Sequence, residues 1–285
     1  MTQRQVTQIV PASTVSEGAG VTVHRTIGTP GRRHLDPFLM LDHFSSDDPD
    51  DYIAGFPEHP HRGFITLTYM IDGHMLHEDS MGNRGDLKAG GAQWMKAASG
   101  VLHSEMPQQT AGLMRGFQLW INLPAGQKMS DPDYQEFAPD HIPTVEDNGA
   151  RIRIITGGYG SHRSLIQDPN TAVQYLDVSV DAERSFSHSV DGRASAFLYL
   201  FEGAATVSGT AIPQQALAVL GTGEEVTVEA GPQGARFILV AGLPIDEPIV
   251  QYGPFVMNTR EEIEQAMADY RSNRLVRKKA TMTTA

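Results

Sequence analysis

The stretch GFPEHPHRGF, residues 55–64, carries two histidines one residue apart at the start of an apolar run. In an extended strand, side chains at positions i and i+2 point to the same face. His59 and His61 would therefore present two imidazoles from one side of a strand. Pro60 between them fits a strand edge, where its missing backbone N–H costs nothing. The segment predicts a β-strand that offers a pair of metal ligands.

A second pair with the same spacing, His103 and Glu105, lies in GVLHSEMP, residues 100–107. Two such strands that face each other would place three imidazoles and one carboxylate around one point. Imidazole suits Fe, Ni, Cu, Mn or Zn, and a carboxylate oxygen favours the harder of these ions. Four protein ligands on a metal that prefers six would leave two positions for substrate and dioxygen. The alternative, that each pair belongs to a turn or a polar surface, stays open on spacing alone.

The rest of the chain predicts an all-β fold. Its 28 glycines and 17 prolines punctuate short runs rich in Val, Ile, Thr, Phe and Tyr, which is typical of many short strands joined by turns. Strands at this density indicate a sandwich or a barrel. Predicted strands include residues 64–71, 116–123, 151–156, 196–201, 225–229 and 237–241.

One segment near the C-terminus, residues 258–274, predicts a helix instead. Thr259 can cap its N-terminus, where Glu261 and Glu262 also suit the positive end of the helix dipole. Apolar residues then recur at roughly helical spacing, starting at Ile263.

The length of 285 residues allows two domains or one large one. A polar stretch with several prolines separates two strand-rich halves. A weak internal repeat, YMIDG at 69–73 and YLFEG at 199–203, supports this division. We expect an N-terminal strand-rich domain over residues 1–130, a linker over 131–149, and a C-terminal strand-rich domain with the helix over 150–285.

Composition excludes several classes of function. With 34 acidic and 22 basic side chains the net charge is −12, which disfavours direct nucleic-acid binding because that depends on Lys and Arg neutralising phosphates. The absence of cysteine excludes disulfides, thiolate nucleophiles and cysteine metal sites. Residues 1–10 lack an apolar signal core, and no run approaches the roughly 18 apolar residues that span a bilayer. We therefore expect a soluble, cytoplasmic protein that binds no membrane.

Several further stretches stand beside the two ligand pairs: LDPFLMLDHF at 35–44, QWM at 93–95, QLWINL at 118–123 and GPFVMNT at 253–259. Together they resemble the pirin family of the cupin superfamily over roughly residues 20–275. The resemblance implies a bicupin, two tandem antiparallel β-barrels of jelly-roll type, with a metal in the N-terminal barrel only.

Carried over by position, the family's metal ligands match His59, His61, His103 and Glu105. Iron, as Fe(II), is the expected metal, with Mn, Ni, Cu or Zn as alternatives. The glutamate that often follows the histidine pair in cupins is absent, because Ile65 and Thr66 stand there. Glu105 would supply the carboxylate instead.

The second half of the chain is expected to bind no metal. Shifted by the spacing of the repeat, the four ligand positions fall on Ser189, Asp191, Gln233 and Ala235. His188 is one residue out of register and stands alone, and no histidine follows it.

The resemblance implies two different functions. One is a quercetin 2,3-dioxygenase activity, which opens a flavonol ring with O2 and releases carbon monoxide, with Glu105 as ligand and as the base that accepts the flavonol 3-hydroxyl proton. The alternative is a regulatory protein that senses iron or its redox state and binds a transcription factor or a metabolic enzyme. A metal-free binding module is a third class, disfavoured because all four ligands are present.

Other polar residues near the predicted site have two interpretations each. The run His74, His77, Glu78 and Asp79 looks ligand-like, but the resemblance places it in a hairpin outside the site, so we expect a polar surface. Arg62 could hold a substrate anion or form a structural ion pair, and we favour the ion pair. Trp94 and Gln118 could line the pocket or belong to the core.

Overall fold

The structure, a computed structural model, describes residues 1–277 and the backbone of 282–284. Nearly every element is a β-strand. The strands in chain order are β1 (Val6–Pro11), β2 (Ser13–Glu17), β3 (Val21–Arg25), β4 (Phe38–Ser46), β5 (Phe56–His61), β6 (Phe64–Asp72), β7 (His74–Asp79), β8 (Arg84–Lys88), β9 (Ala92–Lys96), β10 (Val101–Pro107), β11 (Met114–Asn122), β12 (Asp133–Phe137), β13 (Thr144–Asp147), β14 (Ala150–Thr156), β15 (Gly158–Tyr159), β16 (His162–Arg163), β17 (Gln174–Val180), β18 (Ser185–Ser189), β19 (Ser195–Val207), β20 (Thr210–Ile212), β21 (Ala216–Leu220), β22 (Glu225–Gly242), β23 (Val250–Tyr252), β24 (Phe255–Met257) and β25 (Met282–Thr284).

The helices in the described residues are short: α1 (Ala125–Lys128), α2 (Arg260–Arg271), and two 3-10 turns at Pro49–Asp51 and Pro139–His141. Helix α2 begins where the sequence predicts, because Thr259 accepts a hydrogen bond from the Glu262 backbone N–H while the Glu262 side chain returns to the backbone of Thr259. The all-β class with one short C-terminal helix is confirmed. No helix in the described part of the chain is both long and apolar enough to cross a membrane.

The chain forms two compact units. The first unit comprises Thr14–Arg25, Phe38–His141 and 245–285, and the second comprises Met1–Ser13, Thr26–Pro37 and 142–244. This division differs from the linear one at 1–130, 131–149 and 150–285.

Strand pairing explains the difference. The N-terminal strand β1 pairs with β21 through contacts such as Val10 with Leu217, so the N-terminus joins the second unit. At the other end, Ile263 and Ala266 of α2 pack on Phe255 in a cluster of the first unit. The predicted linker is itself structured, because β12 pairs with β9 and β13 pairs with β14.

The second unit is built on a nine-stranded antiparallel sheet with the main order β1-β21-β19-β22-β17-β14-β13. Its core is one apolar cluster that includes Ile152, Leu198 and Phe237, each fully buried. The two strands predicted at 225–229 and 237–241 are parts of the single strand β22. Likewise, Glu202–Gly203 of the repeat falls inside β19, where register shifts bend the ladder without ending the strand.

The first unit contains two large sheets, one with the order β2-β3-β4-β11-β6-β9-β12-β25 and one with the order β5-β10-β7-β8, and a small two-stranded sheet of β23 and β24. The consecutive strands β5 and β6 lie in different sheets, so the chain must turn a corner directly after the predicted histidine pair. Gly63 makes this corner with a φ of +92°, and a Cβ there would lie 1.9 Å from the carbonyl oxygen of Val256. Only glycine allows both this positive φ and this close approach of the Val256 carbonyl.

Candidate metal centre

The antiparallel pairing of β5 with β10 brings the two predicted ligand pairs together. His59 lies opposite His103, and His61 lies opposite Val101. Ligand nitrogens of His59, His61 and His103 all lie within 4.8 Å of one another. The Nε2 atoms of His59 and His61 are 3.0 Å apart. The structure therefore brings these three predicted side chains into one group.

Burial controls the charge of this group. His61 and His103 are 2% and 1% exposed. Burial, followed by the neighbouring histidines, holds the pKa of both imidazoles well below the usual value. Both rings are therefore neutral near pH 7, which leaves each with a nitrogen lone pair. His103 Nε2 is buried and has no hydrogen-bond partner.

Glu105 is buried on β10 beside His103, but its carboxylate is bound by residues of the other sheet. Thr68 of β6 donates its hydroxyl to Glu105 Oε1 at 3.1 Å, and Gln118 of β11 donates its amide to Oε2 at 2.8 Å. The indole N–H of Trp120 donates to the oxygen of Gln118 at 3.2 Å. Gln118 thus belongs to the site, and the carboxylate is fixed between the two sheets.

The structure also places His77 in the centre, where the resemblance did not. His77 is 1% exposed and lies opposite Glu105 on the β7–β10 ladder. Ligand atoms of His77, His103 and Glu105 form a second group within 4.8 Å. The expectation that this stretch is only a polar surface is therefore wrong for His77.

The burial of His77 follows from the two-residue period of β7. Met75 and His77 point into the unit, whereas Glu78 points to solvent and His74 is only half-buried, paired with Asp86. His77 and Asp79 have the same i, i+2 spacing as the two predicted pairs. Applied to β7 as well, that rule would have found them.

His77 is fixed on every side. Its Nδ1 lies 3.3 Å from His103 Nδ1, and its Nε2 lies 3.4 Å from Asp79 Oδ2. Its ring stacks on Tyr134 with centroids 4.5 Å apart. Burial raises the pKa of Asp79, but hydrogen bonds from His77 and Asn83 outweigh it and hold that pKa below its usual value.

The remaining sequence candidates are structural. The guanidinium of Arg62 is 1% exposed and forms an ion pair with Asp269 of α2 at 2.8 Å, so the ion-pair alternative is correct. It also donates to the carbonyl oxygen of Ser99 at 2.7 Å. Trp94 is buried on β9.

An apolar wall lies on one side of the histidines. Phe64 and Trp120 stack with centroids 4.2 Å apart, and the ring of His61 meets both edge-on at 5.0 and 5.2 Å. Leu39, Met40 and Val256 complete this cluster. Buried imidazoles beside a buried carboxylate, with an apolar wall on one side, fit a first-row transition metal.

The second unit contains a cavity with a single histidine in its lining. A cavity of about 650 Å³ is lined by residues that include Tyr159, Gln174 and His188. His188 lies opposite Val226 on the β18–β22 ladder, and burial lowers the pKa of its imidazole to about 4. Among the described residues, the histidine groups that could hold a metal all lie in the first unit.

Comparison with known proteins agrees with this architecture. The Pirin family matches residues 20–121, and the Pirin C-terminal cupin domain matches residues 175–276. Two cupin domains, the first with a His/Glu cluster able to hold a metal, define a bicupin of the metal-binding class. The chain belongs to the pirin family.

Individual relatives are similar over nearly the whole chain. A Pseudomonas aeruginosa protein that carries the provisional name quercetin 2,3-dioxygenase is 46% identical over 276 residues, which cover 94% of this chain and 96% of that protein. A pirin-like protein of Caulobacter vibrioides is 45% identical, with 96% and 100% covered. The crystal structure of quercetin 2,3-dioxygenase from Acinetobacter baumannii has a TM-score of 0.89 at 29% identity, with 96% and 98% covered.

Proposed function

We propose that the protein is a metal-dependent dioxygenase of the quercetin 2,3-dioxygenase type, which opens a flavonol ring with O2. The observation that carries the proposal is the group of three imidazoles within 4.8 Å beside the buried Glu105 carboxylate. The names of the Pseudomonas relative and of the Acinetobacter structure support the same reaction.

The residues proposed to hold the metal are His59, His61, His103 and Glu105, with Fe(II) as the proposed ion and Mn, Ni, Cu or Zn as alternatives. The first three already form one group, and Glu105 joins His103 in the second group. When bound, the metal would stabilise negative charge on the deprotonated flavonol and provide the site for O2.

Glu105 is the proposed general base for the flavonol 3-hydroxyl. Each of its carboxylate oxygens accepts one protein hydrogen bond, from Thr68 or from Gln118. A carboxylate oxygen has two lone pairs, so each keeps one with which to accept a proton or bind an ion. Gln118 and Thr68 hold the carboxylate in place, which lowers the entropic cost of proton transfer.

An apolar wall lies in the same site as the Glu105 carboxylate. Phe64, Trp120 and the ring of His61 form an aromatic surrounding in which electrostatic interactions are strengthened because water is excluded. Of these three rings Trp120 keeps the largest exposed fraction, 9%, so it is the ring proposed to pack on a flat polyphenol.

The test is anaerobic reconstitution with Fe(II), and in parallel with Mn(II), Ni(II) or Cu(II), followed by admission of air with quercetin. The expected result is loss of the visible absorbance of quercetin together with release of about one carbon monoxide per quercetin. Glu78→Gln, an exposed carboxylate on the neighbouring strand, is the matched control for Glu105→Gln.

Stoichiometric metal binding without turnover for any metal would overturn the dioxygenase proposal. The iron-dependent regulator would then be the remaining function. It predicts affinity for a protein partner that changes between the ferrous and ferric forms.

A further inference from the structure

His103 lies between two sets of side chains. On one side, its ring centroid lies 4.4 Å from that of His59 and 4.9 Å from that of His61. On the other side is His77, whose Nδ1 lies 3.3 Å from His103 Nδ1. Beyond His77 lies Asp79, so the side chains form a line from carboxylate to imidazole to imidazole.

The hydrogen bonds of Asp79 determine which atoms carry protons. Its Oδ1 accepts from the backbone N–H groups of Met81 at 2.8 Å and Asn83 at 3.0 Å. Its Oδ2 accepts from the side-chain amide of Asn83 at 2.8 Å and lies 3.4 Å from His77 Nε2. A carboxylate surrounded by donors is an acceptor only, so His77 Nε2 must carry the hydrogen of that contact.

The proton positions of the two imidazoles follow from this. With its hydrogen on Nε2, His77 can accept a hydrogen bond at Nδ1, which faces His103 Nδ1. His103 Nδ1 must therefore carry a hydrogen and donate it. The lone pair of His103 then lies on Nε2, the buried nitrogen without a hydrogen-bond partner.

His77 itself is poorly placed to bind a metal, although it belongs to a group of possible ligands. Both of its nitrogens are engaged, one by Asp79 and one by His103. Its ring is held against Tyr134, whose hydroxyl donates to Glu136 and accepts from Gln93. To bind an ion, His77 would have to give up one of these contacts.

We propose that Asp79 and His77 are positioning residues that fix the tautomer of His103, so that Nε2 is the nitrogen offered to the metal. The inference rests on the metal centre of the proposed function but not on its reaction. Outer hydrogen-bond partners of metal-bound histidines typically change metal affinity by about 10–100-fold.

The experiment compares His77→Phe with His77→Gln, using Co(II) as the probe in a chelator competition assay. Phenylalanine keeps the stacking on Tyr134 but removes both nitrogens, whereas glutamine can still donate to Asp79 and accept from His103. We expect His77→Phe to weaken Co(II) binding by about 10–100-fold and His77→Gln to recover most of it. His74→Phe, on the same strand but paired with Asp86, is the control and should bind like the wild type.

A second measurement needs no metal. The ¹⁵N chemical shifts of the His103 ring in the metal-free protein report which nitrogen carries the hydrogen. We expect Nδ1–H in the wild type and in His77→Gln, and a shift toward Nε2–H in His77→Phe. Because no metal or substrate is present, this result is independent of whether the protein cleaves flavonols.

Three results would overturn the proposal. One is His77→Phe with wild-type Co(II) affinity and an unchanged His103 tautomer. Another is a folded His77→Gln that binds as weakly as His77→Phe. The third is the loss of one coordinated imidazole in His77→Phe, counted by pulsed EPR on the Cu(II) form, because it would make His77 a direct ligand.

Discussion

The two units use similar antiparallel ladders for different purposes. Across the β5–β10 ladder of the first unit, His59 faces His103. Across the β18–β22 ladder of the second unit, His188 faces Val226. One unit thus gathers several imidazoles around a point, and the other leaves a single imidazole beside an apolar neighbour.

The comparison shows that the identity of a few inward-facing ladder positions determines whether a β unit can bind a metal. In the first unit those positions carry His77, His103 and Glu105, all buried and polar. In the second unit the inward positions form a continuous apolar cluster that includes Phe186 and Val226. The fold supplies the scaffold, and the side chains at these positions supply the chemistry.

The largest expected effect is on metal content, from a matched pair of substitutions, one in each unit. His103→Ala should abolish stoichiometric binding of Fe(II) or Co(II) because it removes the imidazole shared by both ligand groups. His188→Ala should leave one equivalent bound. Metal analysis after dialysis measures both, and equal metal content in the two variants would contradict the assignment of the metal site to the first unit.

Next in size is the effect of Glu105→Gln on flavonol turnover. Loss of a general base lowers turnover by about 10²–10⁴-fold, while three imidazoles should retain part of the metal affinity. Quercetin consumption at matched metal content is the measurement. Turnover equal to that of the Glu78→Gln control would exclude Glu105 as the base.

A third prediction compares the stability contributed by one ion pair in each unit, fully buried in the first unit and partly exposed in the second. Asp269→Asn should cost about 3–5 kcal/mol because it leaves the Arg62 guanidinium, 1% exposed, without its carboxylate. Asp177→Asn should cost less, since its partner Arg236 has a side chain that is 23% exposed and can be hydrated. Urea unfolding measures both, and equal losses would contradict the assigned role of burial.

The smallest effect concerns pH and the second unit. Burial lowers the pKa of His188 from 6.5 to about 4, so between these values the unfolded chain binds a proton that the folded chain does not. The contribution of His188 to stability is therefore lost as the pH falls through this window. His188→Gln should show a smaller drop in Tm between pH 7 and 4.5 than the wild type. The exposed His162→Gln is the control, and an equal drop in all three proteins would contradict the assignment.

Local patterns in the sequence predict much of this structure. The i, i+2 spacing predicts that His59 and His61 share one face of β5, because strand period is a local property. The pairing of β5 with β10 then brings His103 opposite His59. The cap at Thr259 likewise predicts where α2 begins, since a capping box depends on residues only three apart.

What the sequence does not predict depends on distant pairing. Val10 pairs with Leu217, and no local pattern in residues 6–11 indicates a partner so far along the chain. Asp269 on α2 similarly meets Arg62 only after the chain has folded. His77 is a different case, because its i, i+2 spacing from Asp79 follows the local strand rule, whereas the family resemblance predicts a hairpin outside the site.

The most direct test of the account is a crystal structure of the Co(II)-loaded protein with anomalous diffraction recorded at the cobalt edge. The account predicts one strong anomalous peak in the first unit, bound by His59, His61, His103 and Glu105, with His77 hydrogen-bonded to His103 and outside the coordination shell. A peak bound by His77, a peak beside His188 in the second unit, or no peak at all would contradict it.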